Sequence, residues 1–148
     1  MSALIENKKA RLRFEVLETY QAGLELQGYE VKSIRAKLGG LDGSRVIVRG
    51  GEAFIVGMTI PPYQIANAPK TYDPERPRRL LLSRKEIVEL LEAEAKKGLT
   101  LVPLELYNAG RYLKARIAIV RGKGKADKRE DMKRLEAKKE ADRAMRQK

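Results

Sequence analysis

The chain changes character at Arg121. Before it, short runs of alternating apolar residues are broken by glycine and proline. After the opening RGKGKADKRED, neither residue occurs again. Residues 121–148 hold twelve Lys+Arg against six Asp+Glu, so this last fifth carries +6 of the chain's +12 and the preceding 120 residues the other +6. Asp127 and Glu130 stand at capping-box spacing, where both side chains reach backbone N–H groups that a helix start leaves unpaired. Beyond them the apolar residues are Met132, Leu135, Met145 and some alanines. Such a helix has good propensity and little apolar surface with which to dock on its own body. The pattern predicts two parts: a folded body over 1–121, and a basic tail over 122–148 that is unstructured when free and helical on an anionic partner. Gly122-x-Gly124 is too short and misplaced for a phosphate-binding loop and reads as the hinge between them.

The body is long enough for one domain with its own core. The whole 148-residue chain is 43% hydrophobic and 35% charged, which suits a soluble protein with an anionic partner. No run approaches the roughly 20 apolar residues of a membrane-spanning helix. The start, MSALIENKKARLRF, has no apolar core of signal-peptide length, so a cytoplasmic chain is expected. The tail lacks the bulky apolar face of a membrane-surface helix, which leaves nucleic acid as the favoured partner. Cysteine and histidine are both absent. That excludes disulfides, thiolate zinc sites and imidazole acid–base catalysis, and points away from an enzyme, a resident metal or a cofactor.

Alternation predicts strands over Leu12–Glu18 and on through Leu24 and Leu26 to Gly28, then Arg45–Arg49 and Glu52–Ile60 as a hairpin about Gly50-Gly51. Further strands follow at Arg79–Leu82, Leu99–Tyr107 and Tyr112–Val120, the last two joined across Asn108-Ala109-Gly110. Val31, Ile34 and Leu38 form a helical stripe ended by Gly39-Gly40. Ser83-x-x-Glu86 caps a second helix, with Ile87, Leu90, Leu91 and Glu94 on its faces, stopped by Gly98. Residues 61–77 hold five of the six prolines and read as an extended loop. About six strands and two helices in hairpin order predict a mainly β fold with α, a small antiparallel OB-like barrel flanked by helices.

Several clusters suit nucleic acid. Asn7-Lys8-Lys9-Ala10-Arg11 offers an amide and three cations before the first strand. Lys32 and Arg35, three apart, share a helix face. The loop Tyr72-Asp73-Pro74-Glu75-Arg76-Pro77-Arg78-Arg79 mixes aromatic, proline and arginine in a way suited to stacking on RNA. Lys114 and Arg116 lie on one side of the last strand, with Ala115, Ile117 and Ile119 on the other. Each cluster would serve equally as ordinary solvated surface. Asp73 and Glu75 could hold a metal for a nuclease, but they lack partners at useful spacing, and Asp73-Pro74 is a common turn opening.

Six segments, in order and at near-constant spacing, resemble the SsrA-binding protein (small protein B, SmpB) family of trans-translation. They are Glu6-Asn7-Lys8-Lys9-Ala10-Arg11, Ala22-Gly23, Gly28 to Ala36, Asp73-Pro74-x-Arg76-x-Arg78-Arg79-Leu80-Leu81-Leu82, Gly98 to Tyr107, and Gly122-Lys123 with Asp127-Lys128-Arg129-Glu130. The resemblance implies an OB-like barrel that binds the tRNA-like domain of transfer-messenger RNA (tmRNA). It would deliver that RNA to stalled ribosomes in place of the missing anticodon arm, with its tail in the small-subunit decoding centre and empty mRNA channel. It ties Asn7, Lys8, Arg35, Leu81 and Lys114 to RNA binding, and Asp127, Lys128 and Arg129 to tagging. With these go Arg11, Gln21, Lys32, Arg78, Arg79 and Arg116 as further candidate RNA contacts, and Gly122 and Lys123 at the tail's root. The chain departs from the family at Gln21 (usually Glu), Leu12 (usually His), Gly124 (usually Lys) and Ala126 (usually aromatic or His). A monomeric adaptor is expected. The alternative is a general rRNA- and tRNA-binding OB protein of the ribosome.

Overall fold

A computed structural model describes residues 3–64, 68–123, 134 and 136–139. Its elements are β1 (Ala3–Glu6), α1 (Lys8–Arg13), β2 (Phe14–Leu24), α2 (Gly28–Arg35), β3 (Arg45–Arg49), β4 (Glu52–Val56), β5 (Arg78–Leu81), α3 (Arg84–Ala95), β6 (Leu99–Ala109) and β7 (Tyr112–Gly122). The strands form one antiparallel sheet in the order β1-β6-β7-β2-β5-β4-β3. Its hydrogen-bonded ladder is open, and the sheet curls until β3 comes beside β6.

The mainly β, hairpin-ordered architecture expected from sequence is present, with seven strands and three helices within residues 3–123 rather than about six and two. The additions lie at the N-terminus. Asn7 caps α1: its Oδ1 accepts from the Ala10 N–H at 3.2 Å. The helix therefore takes Leu12 and Arg13, and the strand read from Leu12 begins at Phe14. Ahead of it, Ala3–Glu6 pairs along the outer edge of β6. At the end of α2, Lys37 rather than Gly39 adopts the left-handed conformation (φ 62°), and Leu38 N–H donates to the Ser33 carbonyl. That closes the helix one turn before the glycine pair and leaves Leu38 exposed. Residues 134 and 136–139 are helical and exposed, while the tail motif and the hinge residue Gly124 lie outside the described residues.

Two apolar clusters occupy opposite faces of the sheet. The inner one joins Ala22, Ile34, Val46, Ile55, Leu80, Leu90, Leu101, Leu106, Ala115 and Ile117. A smaller outer cluster sets Ala10 of α1 and Phe14 against Val102, Leu104, Ala118 and Val120. β7 contributes to both by unbroken period-2 alternation, Ala115 and Ile117 inward and Ala118 and Val120 outward, the outward positions becoming buried from Ala118 onward. α1 thus fastens to the outside of the sheet, while α3 buries Leu90 and Ala93.

The loop read as an RNA-stacking segment turns inward. Arg78 is fully buried, its Nε and Nη2 donating to Glu30 Oε2 at 2.9 and 2.7 Å and its Nη1 to the Met58 carbonyl at 2.8 Å. Arg76 pairs with the other oxygen of Glu30. Tyr72 hydroxyl donates to the Ile60 carbonyl at 2.6 Å and accepts from Arg78 at 2.9 Å, and its ring meets Tyr29 edge-on at 4.9 Å. Arg78 is therefore corrected from an RNA contact to a buried anchor. Its position follows from alternation: on β5, Arg78 and Leu80 point inward while Arg79 and Leu81 point out. Burial pushes the Tyr72 hydroxyl up to about 12, with the Arg78 charge opposing and Glu30 adding to the rise. It stays protonated at neutral pH and able to donate.

Burial alone would raise the Glu30 carboxyl, but hydrogen bonds from Arg76, the Gln27 N–H and Arg78 outweigh it and hold it below the usual glutamate range. A carboxyl lowered on folding stabilises the native state above its unfolded pKa, and that stability is lost as pH falls through the folded value. Glu30→Gln leaves Arg78 buried without its counter-charge and should cost about 3–5 kcal/mol in urea unfolding at neutral pH. The cost should shrink as pH falls below the ordinary glutamate range of about 4.3. Unfolding curves of equal midpoint for the two proteins at neutral pH would reject this role.

Candidate nucleic-acid interface

The register of three ladders brings four of the sequence candidates, Gln21, Leu81, Lys114 and Arg116, onto one outer face. Lys114 on β7 stands opposite Tyr107 on β6 and Gly23 on β2, and Gly23 stands opposite Leu81 on β5. One row thus crosses four strands: Tyr107, Lys114, Gly23, Leu81. The next row holds Glu105, Arg116 and Gln21. Directly opposite antiparallel residues share a face with Cβ atoms about 5 Å apart, so each row is a continuous surface. Gly23 keeps the first row flat. A Cβ there would stand 3.2 Å from Leu81 Cβ, tighter than ordinary packing.

Helix α1 borders this face. Its Arg11 reaches Glu105 at 3.7 Å, and a cleft lined by Arg11, Thr19, Gln21, Leu104 and Arg116 opens between helix and sheet. Lys8 is exposed on the same helix, and Lys9 lies 3.8 Å from Asp42. Asn7 is buried: its Nδ2 donates to the Pro103 carbonyl at 2.9 Å while its Oδ1 caps the helix. Both ends of the amide are spent within the fold. The expected direct contact by Asn7 is replaced by a positional one, since it ties to β6 the start of the helix that carries Lys8 and Arg11.

Arg35 joins the sheet at another edge. Its Nη2 donates at 2.8 Å to the Arg111 carbonyl in the β6–β7 turn, next to the exposed Tyr112. Lys32 is exposed about one turn earlier on α2. Arg79 also faces outward, but it is shared between Glu25 at 3.5 Å and Glu52 at 3.4 Å. Gly122 ends β7 opposite Phe14, and Lys123 is tied to α1: its N–H donates to the Arg13 carbonyl at 2.9 Å and its Nζ to the Arg11 carbonyl at 3.1 Å. Asp127, Lys128, Arg129 and Ala126 lie outside the described residues.

Sequence reasoning missed Glu105 and Tyr107 as members of this face. Tyr107 is buried, with the Arg116 guanidinium 5.4 Å from its ring centroid, a cation–π distance that steadies the arginine. The signal was present in the β6–β7 hairpin: fixing its turn aligns Tyr107 with Lys114 by counting. A bulge between Pro103 and Glu105 breaks the count further along.

The face can make phosphate and base contacts from lysine, arginine and amide groups set beside an exposed leucine. Among the described residues no three carboxylates gather as a metal site. The SmpB protein family model matches residues 4–147. The chain is 47% identical to the SsrA-binding protein of Gloeobacter violaceus over 143 residues, covering 97% of this chain and 93% of the other. It is 46% identical to that of Geobacillus thermodenitrificans over 144 residues, 97% and 92% of the two chains. A solved chain described as "tmRNA-SmpB: a journey to the center of the bacterial ribosome" superposes with a TM-score of 0.65 at 42% identity, over 84% of this chain and 91% of that one. At this identity and coverage, the chain belongs to the SmpB protein family.

Proposed function

We propose that this chain binds the tRNA-like domain of tmRNA, promotes its stable association with stalled ribosomes and stands in there for the missing anticodon arm. The ribosome then switches to the tag reading frame, is released, and leaves a nascent peptide marked for degradation. The observation that carries this reading is the gathering of Gln21, Leu81, Lys114 and Arg116 on one outer face, beside Arg11 of α1, in a chain that belongs to the SmpB family. The protein acts by binding and orientation without covalent chemistry, as a cytoplasmic, monomeric adaptor. No helix among the described residues is long and apolar enough to cross a membrane.

Two regions divide the work. The body grips RNA through Lys8, Arg11, Gln21, Lys32, Arg35, Leu81, Lys114 and Arg116, cations meeting phosphates and Leu81 packing against an apolar part of the nucleotide. The tail, with Asp127, Lys128 and Arg129, enters the small-subunit decoding centre and the mRNA channel, where phosphates neutralise its charge and favour a helix.

A gel-shift titration with the tRNA-like domain, competed by bulk tRNA, should show a strong preference for the tmRNA fragment. Equal binding would leave only a general RNA-binding protein. Lys8→Ala and Lys114→Ala should each weaken binding and lower the salt slope by about 0.7–0.9, one phosphate contact's worth. A slope unchanged by both would remove these residues from the interface. Replacing Asp127, Lys128 and Arg129 with alanines should leave RNA affinity intact and abolish peptide tagging in a reconstituted translation assay. Lost RNA affinity in that variant would overturn the division of labour.

A further inference from the structure

Two cations of the outer face are already held by one carboxylate. Glu105 Oε1 lies 2.7 Å from Arg116 Nη1, and its Oε2 lies 3.7 Å from Arg11 Nη2. The carboxylate is the sheltered partner: its side chain is 13% exposed, against 37% for Arg116 and 54% for Arg11. It sits on β6, directly opposite Arg116, while the neighbour of Arg116 on β2 is the neutral amide of Gln21. Arg116 is also steadied by the Tyr107 ring.

This arrangement has a consequence for any polyanion that approaches. A lone exposed ion pair gives up its cation readily, because its net worth is small. Here a phosphate arriving at Arg116 alone meets a cation already neutralised, with a negative charge behind it on the sheet. A backbone whose phosphates reach Arg116 and Arg11 together draws on both cations, and the repulsion from the single carboxylate is met once. We infer that Glu105 is a specificity-determining residue for RNA binding: it holds Arg11 and Arg116 as one array and penalises RNAs whose phosphates engage only one of them. The inference rests on the RNA-binding reading of this face and is independent of the tail.

The test compares wild type with Glu105→Gln, as full-length proteins, in gel-shift titrations at several salt concentrations against the tRNA-like domain and bulk tRNA. Removing the charge should tighten binding of bulk tRNA about three- to tenfold and steepen its salt slope by about 0.7–0.9 per phosphate newly engaged. The tRNA-like domain should gain less, so selectivity falls. Glu105→Asp, which keeps the charge, should stay close to wild type. Glu105→Thr removes the charge with a side chain that suits a strand and should reproduce the Gln result, which guards against a folding artefact of either variant. If both charge-removing variants bind bulk tRNA no tighter, or bind both RNAs more weakly, Glu105 supports the fold or contacts RNA itself and the inference fails. Absence of any wild-type preference for the tRNA-like domain would instead remove the proposed function, while the bulk-tRNA slopes would still report on Glu105.

Discussion

β7 is hydrogen-bonded along both edges, to β6 from Tyr112 to Arg121 and to β2 from Lys114 to Gly122. This double ladder decides which residues are core and which are surface. A slip of one residue would exchange Lys114 and Arg116 with Ala115 and Ile117, burying two cations and exposing the centre of the inner cluster. The large cost of burying unpaired charge makes that register unavailable. The flanking strands absorb the irregularities, with bulges between Pro103 and Glu105 on β6 and between Val16 and Glu18 on β2. The β6 bulge falls where the outer face passes from the patch covered by α1, with Val102 and Ala118, to the open polar rows of Glu105 and Arg116. The bulge therefore marks the boundary between the packed patch and the proposed RNA face on a single sheet surface.

Glu30 supplies the second constraint, on the other side of the sheet. Its Oε1 accepts from the Gln27 N–H at the start of α2, and the same carboxylate receives Arg76 from the proline-rich loop and Arg78 from the start of β5. One side chain thus starts the helix that carries Lys32 and Arg35 and closes the loop that leads into β5. Strand β5 then presents Arg79 and Leu81 to the opposite face. Stabilising the interior and shaping the exterior are coupled through adjacent residues, Arg78 inward and Arg79 outward.

Most of the fold was legible because its signals are local. Alternation located six of the seven strands, and Ser83 with Glu86 forms the capping box read from spacing, with the Glu86 N–H donating to Ser83 Oγ at 3.2 Å. The misreadings of Arg78 and Asn7 share one cause, which is that a polar residue's partner lies far along the chain. Arg78 reads as surface until Glu30, 48 residues away, is known to meet it. Asn7 reads as a contact until Pro103, 96 residues away, takes its amide. In both cases a charged or amide side chain is buried because long-range hydrogen bonds satisfy it, which no periodicity reveals. The exposed candidates were easier, since period 2 already separates Lys114 and Arg116 from Ala115 and Ile117.

The geometry also relates the two regions assigned to the two stages of the work. Helix α1 is held at its start by Asn7 against β6, and beyond its end Lys123 holds the carbonyls of Arg11 and Arg13. Arg11 itself faces the sheet and Glu105. The same short helix therefore borders the proposed RNA face and holds Lys123 at the end of β7. On the proposed division of labour, the RNA-gripping body and the tail would share this helix as a common anchor. Its six residues are clamped by hydrogen bonds to backbone carbonyls, those of Pro103 and Leu104 at the start and of Arg11 and Arg13 at the end, which charge substitutions on the helix surface would leave in place.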